Sequence, residues 1–129
     1  MEAPIRTFRD LIVWQKSMVL VTAVYHISRL FPKEEIYGLN SQIRRSAVSI
    51  PSNLAEGYAR RSRAEYVRFV QISIGSLYEL ETQLEIAANL DFIPKTRFSE
   101  INEKVREIDR MLCSLHQKLT HPKQSANKA

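Results

Sequence analysis

The feature that most constrains this chain is an unbroken apolar repeat lying between two prolines. Phe98, Ile101, Val105, Ile108, Leu112, Leu115 and Leu119 follow one another at alternating gaps of 3 and 4, and Pro94 and Pro122 bracket them. That spacing places all of these side chains on one stripe of an α-helix, whereas a strand would scatter them over both faces. A helix with one apolar stripe has no stable home in water by itself. The rest of the chain must therefore supply helices to pack against it.

Three further segments meet that need. From Leu11, the positions Leu11, Trp14, Met18, Val21, Tyr25 and Ser28 recur at helical spacing, and Pro32 stops the pattern at Phe31 or just before. Asp10 is placed to cap this helix. A second helix starts near Glu34 or Glu35, whose carboxylates suit a helix N-terminus. It passes through Leu39, Ile43, Ala47, Ile50, Leu54 and Tyr58. Pro51 falls inside this pattern and predicts a bend near Ala47 to Pro51, with Ser46, Ser49 or Ser52 available to the carbonyl it frees. Ser62-Arg63-Ala64-Glu65 has the form of a capping box and opens a third helix. The predicted helices are 11–31, 35–60, 63–91 and 96–120. Connections this short make neighbours antiparallel, so the expected fold is an all-α, up-down-up-down four-helix bundle over 11–121. Residues 1–10 read as an N-terminal arm and 122–129 as a polar tail.

Composition narrows the class further. The 129 residues suffice for one domain and not two. With 3 Gly and 5 Pro there are too few turn-makers for a β-sandwich or barrel. A single Cys excludes a disulfide framework and a cysteine zinc site. No apolar run reaches the ~18 residues that a membrane span requires. The start Met1-Glu2-Ala3-Pro4 lacks a basic segment followed by an apolar block, which predicts no signal peptide and a cytoplasmic location.

Enzyme chemistry needs a constellation of residues, and the sequence offers none. Gly38, Gly57 and Gly75 are isolated and build no phosphate loop. His26, His116 and His121 lack the spacing of a ligand set, and a lone helical histidine is usually an ordinary surface or core residue. Cys113 reads as a small packing residue rather than a nucleophile. The expectation is a non-enzymatic protein without metal or cofactor.

Polar and charged patterning is more informative. If the second and third helices form a hairpin turning near Arg60, position 46 faces about 76 and 49 about 73. Ser46, Ser49 and Asn53 then face Ser73, Gly75 and Ser76, small residues on both sides let the backbones approach closely, and Arg44 or Arg45 lies near Glu79 or Glu81. Glu56 belongs to the same group. This set reads either as a buried polar binding site or as a hydrogen-bonded seam that fixes register. Arg60, Arg61, Arg63 and Arg68 crowd the start of the third helix, opposed only by Glu65. They form either a solvated turn or a basic end that meets nucleic-acid phosphates, with Tyr58 and Tyr66 at hand to stack on bases. The net charge of +5 fits both an anionic partner and a merely soluble surface. Apolar residues off the main stripes, such as Val19 on the first helix and Ile72, Tyr78 and Ile86 on the third, exceed what one core takes. That excess marks a subunit interface, unless a thick core absorbs it.

Three stretches are familiar as a set: FRDLIVWQKS from Phe8, FPKEEIYGLNSQIRRSAVSIPSNLAEG from Phe31, and GSLYELETQLEIA from Gly75. They resemble the small helical-bundle family encoded in intervening sequences of bacterial 23S rRNA genes, the ribosomal-protein-S23-like proteins. The resemblance runs from about Phe8 to Leu119. It implies a homopentamer with a central channel, similar in fold to the accessory protein of diversity-generating retroelements, a basic pentamer that binds nucleic acid. Signature positions matched here are Gln42, Arg44, Arg45, Ser49, Asn53, Glu56, Gly57, Ser76, Glu79 and Gln83. The family brings no established biochemical activity. The combined expectation is a homo-oligomer that binds RNA or DNA without regard to sequence through Arg60, Arg61, Arg63 and Arg68. The alternative is a scaffold for a protein partner with no nucleic-acid role.

Overall fold

The computed structural model describes residues 4–122, so residues 123–129 of the expected tail and the first three of the arm lie outside it. Four helices make up the fold: α1 Ile12–Ser28, α2 Leu39–Tyr58, α3 Arg63–Asn89 and α4 Lys95–Thr120. Each packs on its neighbours in the cycle α1–α2–α3–α4–α1, and no diagonal pair brings its backbones close together. The result is a square, antiparallel four-helix bundle. Its up-down order brings the α2–α3 turn to the end where α1 begins and α4 finishes.

The core follows the stripes read from the sequence. Leu20, Val24 and Ile27 of α1 meet Ile43, Ile50 and Leu54 of α2, Leu77, Leu80 and Leu84 of α3, and Val105, Ile108 and Leu112 of α4, all essentially inaccessible to solvent. Burying each such side chain contributes about 1.5–3 kcal/mol. Helix α2 continues through the buried Pro51 without a break. Ser46 and Ser49 do not bond the carbonyl that the proline frees. Ser46 Oγ donates its one proton to Gln83 Oε1 at 2.7 Å, with Ile43 O as a more distant neighbour at 3.1 Å, and Ser49 Oγ pairs with Ser76 Oγ.

Helix ends differ from expectation in several places, besides shifts of one or two residues at the end of α2 and the start of α4. Asp10 does not cap α1. Its carboxylate accepts from the backbone N–H of Arg6 and of Thr7 at 2.8 and 3.0 Å, which closes a 3-10 turn over Phe8–Asp10 inside the arm. Those two bonds hold its pKa below the usual carboxylate value. Helix α1 stops at Ser28, short of Phe31. The N–H groups of Arg29, Leu30 and Phe31 reach back only three residues, so the last turn tightens to 3-10 geometry ahead of Pro32. Glu34 and Glu35 belong to a separate 3-10 turn, Lys33–Glu35, and α2 starts at Leu39 instead. Helix α3 ends at Asn89 because Asp91 adopts a left-handed φ of 60°. Phe92 N–H bonds Ala87 O at 2.9 Å and Asp91 N–H bonds Ala88 O at 3.0 Å. This is a Schellman closure with Asp where Gly is usual.

Candidate nucleic-acid interface

The basic turn is built by the end of α2 and the first turns of α3. Ser62 Oγ accepts from Glu65 N–H at 3.0 Å and starts α3. Only this half of the expected capping box forms among the described residues. The four arginines are exposed but not equivalent. Arg60 is engaged by Glu56 Oε1 at 3.1 Å and lies over the Phe69 ring at 4.9 Å. Arg61, Arg63 and Arg68 form no ion pair among the described residues. Tyr58 and Tyr66 pack edge to face, 6.0 Å between centroids, and both are half-buried. Burial, and then the neighbouring Tyr58, push the Tyr66 hydroxyl above its ordinary pKa. The two rings brace the turn rather than standing free.

The polar seam between α2 and α3 exists in a different register. Ser49 Oγ meets Ser76 Oγ at 2.8 Å, and Asn53 Nδ2 donates to Ser49 O and Ser49 Oγ at 2.8 and 2.9 Å. Ser46 Oγ donates to Gln83 Oε1 at 2.7 Å, and Gln83 Nε2 donates to Glu79 Oε1 at 3.3 Å. Ser73 Oγ donates to Ile50 O at 3.0 Å. The expected pairing of 46 with 76 and 49 with 73 is thus offset. Arg44 leaves the seam altogether. Its Nε donates to Ser28 Oγ at 2.8 Å, and its guanidinium stacks over the Tyr25 ring of α1 at 4.5 Å. Arg45 points to solvent, and Glu56 serves Arg60. Gly75 does not mediate close approach: a Cβ there would meet nothing within 4 Å. Gly57 does, since a Cβ on it would lie 2.6 Å from Phe69 Cβ.

One cluster has no counterpart in the sequence reading. On the α3–α4 face, Arg106 bridges Glu81 at 2.6 Å and Asp109 at 3.4 Å, and its Nε is buried without a partner. Tyr78 Oη donates to Asp109 Oδ1 at 2.9 Å, which raises its pKa to about 12. Cys113 is exposed, not a core residue, and its sulfur lies 3.5 Å from the same oxygen. Partial burial of the thiol, and then the Asp109 charge, raise its pKa, the reverse of what activates a nucleophile. The available signal for this cluster was the acidic run Glu79, Glu81 and Glu85 of α3 opposite Arg106 on the neighbouring α4. Among the described residues no group of His, Cys, Asp and Glu is arranged to hold a metal, and no helix is long and apolar enough to cross a membrane.

Residues 9–114 match the family described as 23S rRNA-intervening sequence protein. The chain belongs to that family. Its fold is shared with the crystal structure of a protein of unknown function from the S23 ribosomal protein family of Bacteroides thetaiotaomicron. The TM-score is 0.77 at 24% identity, over 82% of this chain and 99% of that one. No curated protein matches this chain. The family match spans α1, α2, α3 and most of α4, so both the seam and the basic turn lie within it.

Proposed function

We propose that this chain is a non-enzymatic, oligomeric bundle that binds RNA or DNA through the α2–α3 turn, largely without regard to sequence. The observation that carries this reading is that Arg61, Arg63 and Arg68 stand exposed at one end of the bundle with no carboxylate paired to them among the described residues. Guanidinium groups suit bidentate phosphate contacts. One copy offers few such charges, so its affinity is weak and salt-sensitive. Repetition of the patch in a homo-oligomer, with a pentamer as the expected form, raises it by avidity.

Fluorescence anisotropy with a labelled RNA hairpin and a DNA duplex, across a salt series, tests the reading. Replacing Arg61, Arg63 and Arg68 together by Glu should abolish binding while the helical circular-dichroism signal and the particle mass stay as in the wild type. Replacing Arg68 alone should lower the slope of log affinity against log salt by about 1. Unchanged binding by the triple variant rejects the turn as the site. The second reading, a scaffold for another polypeptide, is favoured by the exposed apolar residues of α1 and α2. Its mark is a partner retained after nuclease treatment.

A further inference from the structure

Two faces of the bundle carry apolar surface left over from the core. The first is a trough along α1 and α2. One stretch, about 350 Å³, is walled by Phe8, Trp14, Met18, Val48 and Pro51. The next, about 490 Å³, shares Val48 and runs to Tyr37, with Arg44 and Arg45 on its rim. Tyr37 is 94% exposed, Met18 43% and Val48 39%. No carboxylate lines either stretch. The second face is the outer side of α3, where Arg68, Ile72, Gly75, Glu79, Thr82 and Ile86 are exposed on successive turns. After Arg68 the only charged residues of α3 are Glu79, Glu81 and Glu85.

Gly75 is the unexplained residue of this face. A mid-helix glycine weakens its helix relative to alanine. Within one copy an alanine would meet nothing within 4 Å, so the chain's own packing gives no reason for glycine. Close approach by a second chain supplies one. We propose that the α3 face of one copy seats in the α1–α2 trough of the next, antiparallel, with Val48 against Gly75. The proposal rests on the oligomeric part of the reading above and names its contact.

Charge selects the direction. With Val48 over Gly75, the antiparallel alignment brings Glu79 to Arg44 and Arg45, Ile72 to Pro51, and Ile86 toward Tyr37. Gly75 to Ile86 is roughly 16 Å of helical rise; Val48 to Leu39 covers most of that distance along α2, and Tyr37 lies just beyond the start of the helix. The parallel alignment would instead set Glu79 against Ser52 in the apolar stretch and the arginines against Ile72. The pairings within one copy leave these charges free for such use: Arg45 has no ion pair among the described residues, and Glu79 meets only the Gln83 amide. Because the two faces differ, the contact is heterologous, and repeating it closes a ring or extends a filament.

The test uses the full chain with Cys113→Ser as background. Val48→Cys and Gly75→Cys are made on separate chains, refolded together from denaturant and treated with a short bis-maleimide. Cross-linked dimers should form in the mixture and in neither variant alone. Independently, Gly75→Leu should raise the dissociation constant of the oligomer at least tenfold by light scattering, with the helical signal unchanged. A mixture that keeps the wild-type particle mass yet gives no cross-link overturns the contact and leaves the oligomer standing. Self-linking of either variant alone overturns it in favour of a two-fold contact. A wild-type chain that stays monomeric overturns both the contact and the oligomeric reading, whatever its affinity for RNA.

Discussion

Gly57→Ala is the sharpest probe of how α2 and α3 are joined. A Cβ at Gly57 would sit 2.6 Å from Phe69 Cβ, 3.3 Å from Tyr66 Cδ1 and 3.4 Å from Phe69 Cγ. The nearest of these atoms is fixed to the α3 backbone, and no rotamer change moves it. Carbon atoms rest at about 3.5–4.0 Å, so the helices must part by roughly 1 Å. Overpacking of this kind costs about 1–3 kcal/mol. Alanine's better helix propensity offsets about 1 kcal/mol of that. The net expectation is a loss of up to about 2 kcal/mol, seen as a fall of up to several degrees in Tm. Urea unfolding followed by circular dichroism at one fixed protein concentration measures it. Phe69→Ala keeps the Cβ and should not rescue the variant. A Gly57→Ala protein more stable than the wild type by about 1 kcal/mol, the helix-propensity gain with nothing set against it, would refute the reasoning, because it would mean that the two helices are not held at this distance.

Two further outcomes follow from the seam and from the α3–α4 face. Ser46→Ala should cost about 1–3 kcal/mol, because it strips the buried Gln83 Oε1 of its 2.7 Å donor; the same unfolding assay reads it, and a loss near zero would mean that water replaces the hydroxyl. Tyr78 favours its neutral form when folded, so the stability it lends is complete below pH 10 and is lost as pH rises toward about 12. Absorbance titration of the five tyrosines should show a late component that Tyr78→Phe removes, and a wild type without that component contradicts the Asp109 hydrogen bond.

The helices and most of the core were legible because apolar spacing reports the buried stripe of a helix directly. Ile43, Ile50 and Leu54, or Ile101, Val105 and Ile108, declare themselves without knowledge of their partners. Helix ends were less legible, because they depend on which local hydrogen bond wins. Asp10 has the side chain of an N-cap, but Arg6 and Thr7 N–H groups reach it first. Asp91 gives no hint that it will turn left-handed in place of glycine. The seam was visible in kind, since small hydroxyl side chains recur on both helices. Its register was not, because an offset of one turn keeps serines facing small polar residues either way. Arg44 shows the deeper limit. Its side chain is long enough to reach either neighbouring helix, and only the folded α1, with Ser28 and Tyr25 in place, decides between them. The two glycines read alike in sequence, yet Gly57 is crowded and Gly75 is open.

The up-down order of the helices has a practical side. The arm with Arg6 and Arg9, the α2–α3 turn and the end of α4 with Lys118 all sit at one end of the bundle. A sequence fused at either terminus is therefore tethered to the end of the bundle that carries Arg61 and Arg63. A polyhistidine tag would add titratable charge there, and an acidic fusion partner would occupy the turn by itself. The tag-free chain is the sample whose salt dependence reports on the arginines.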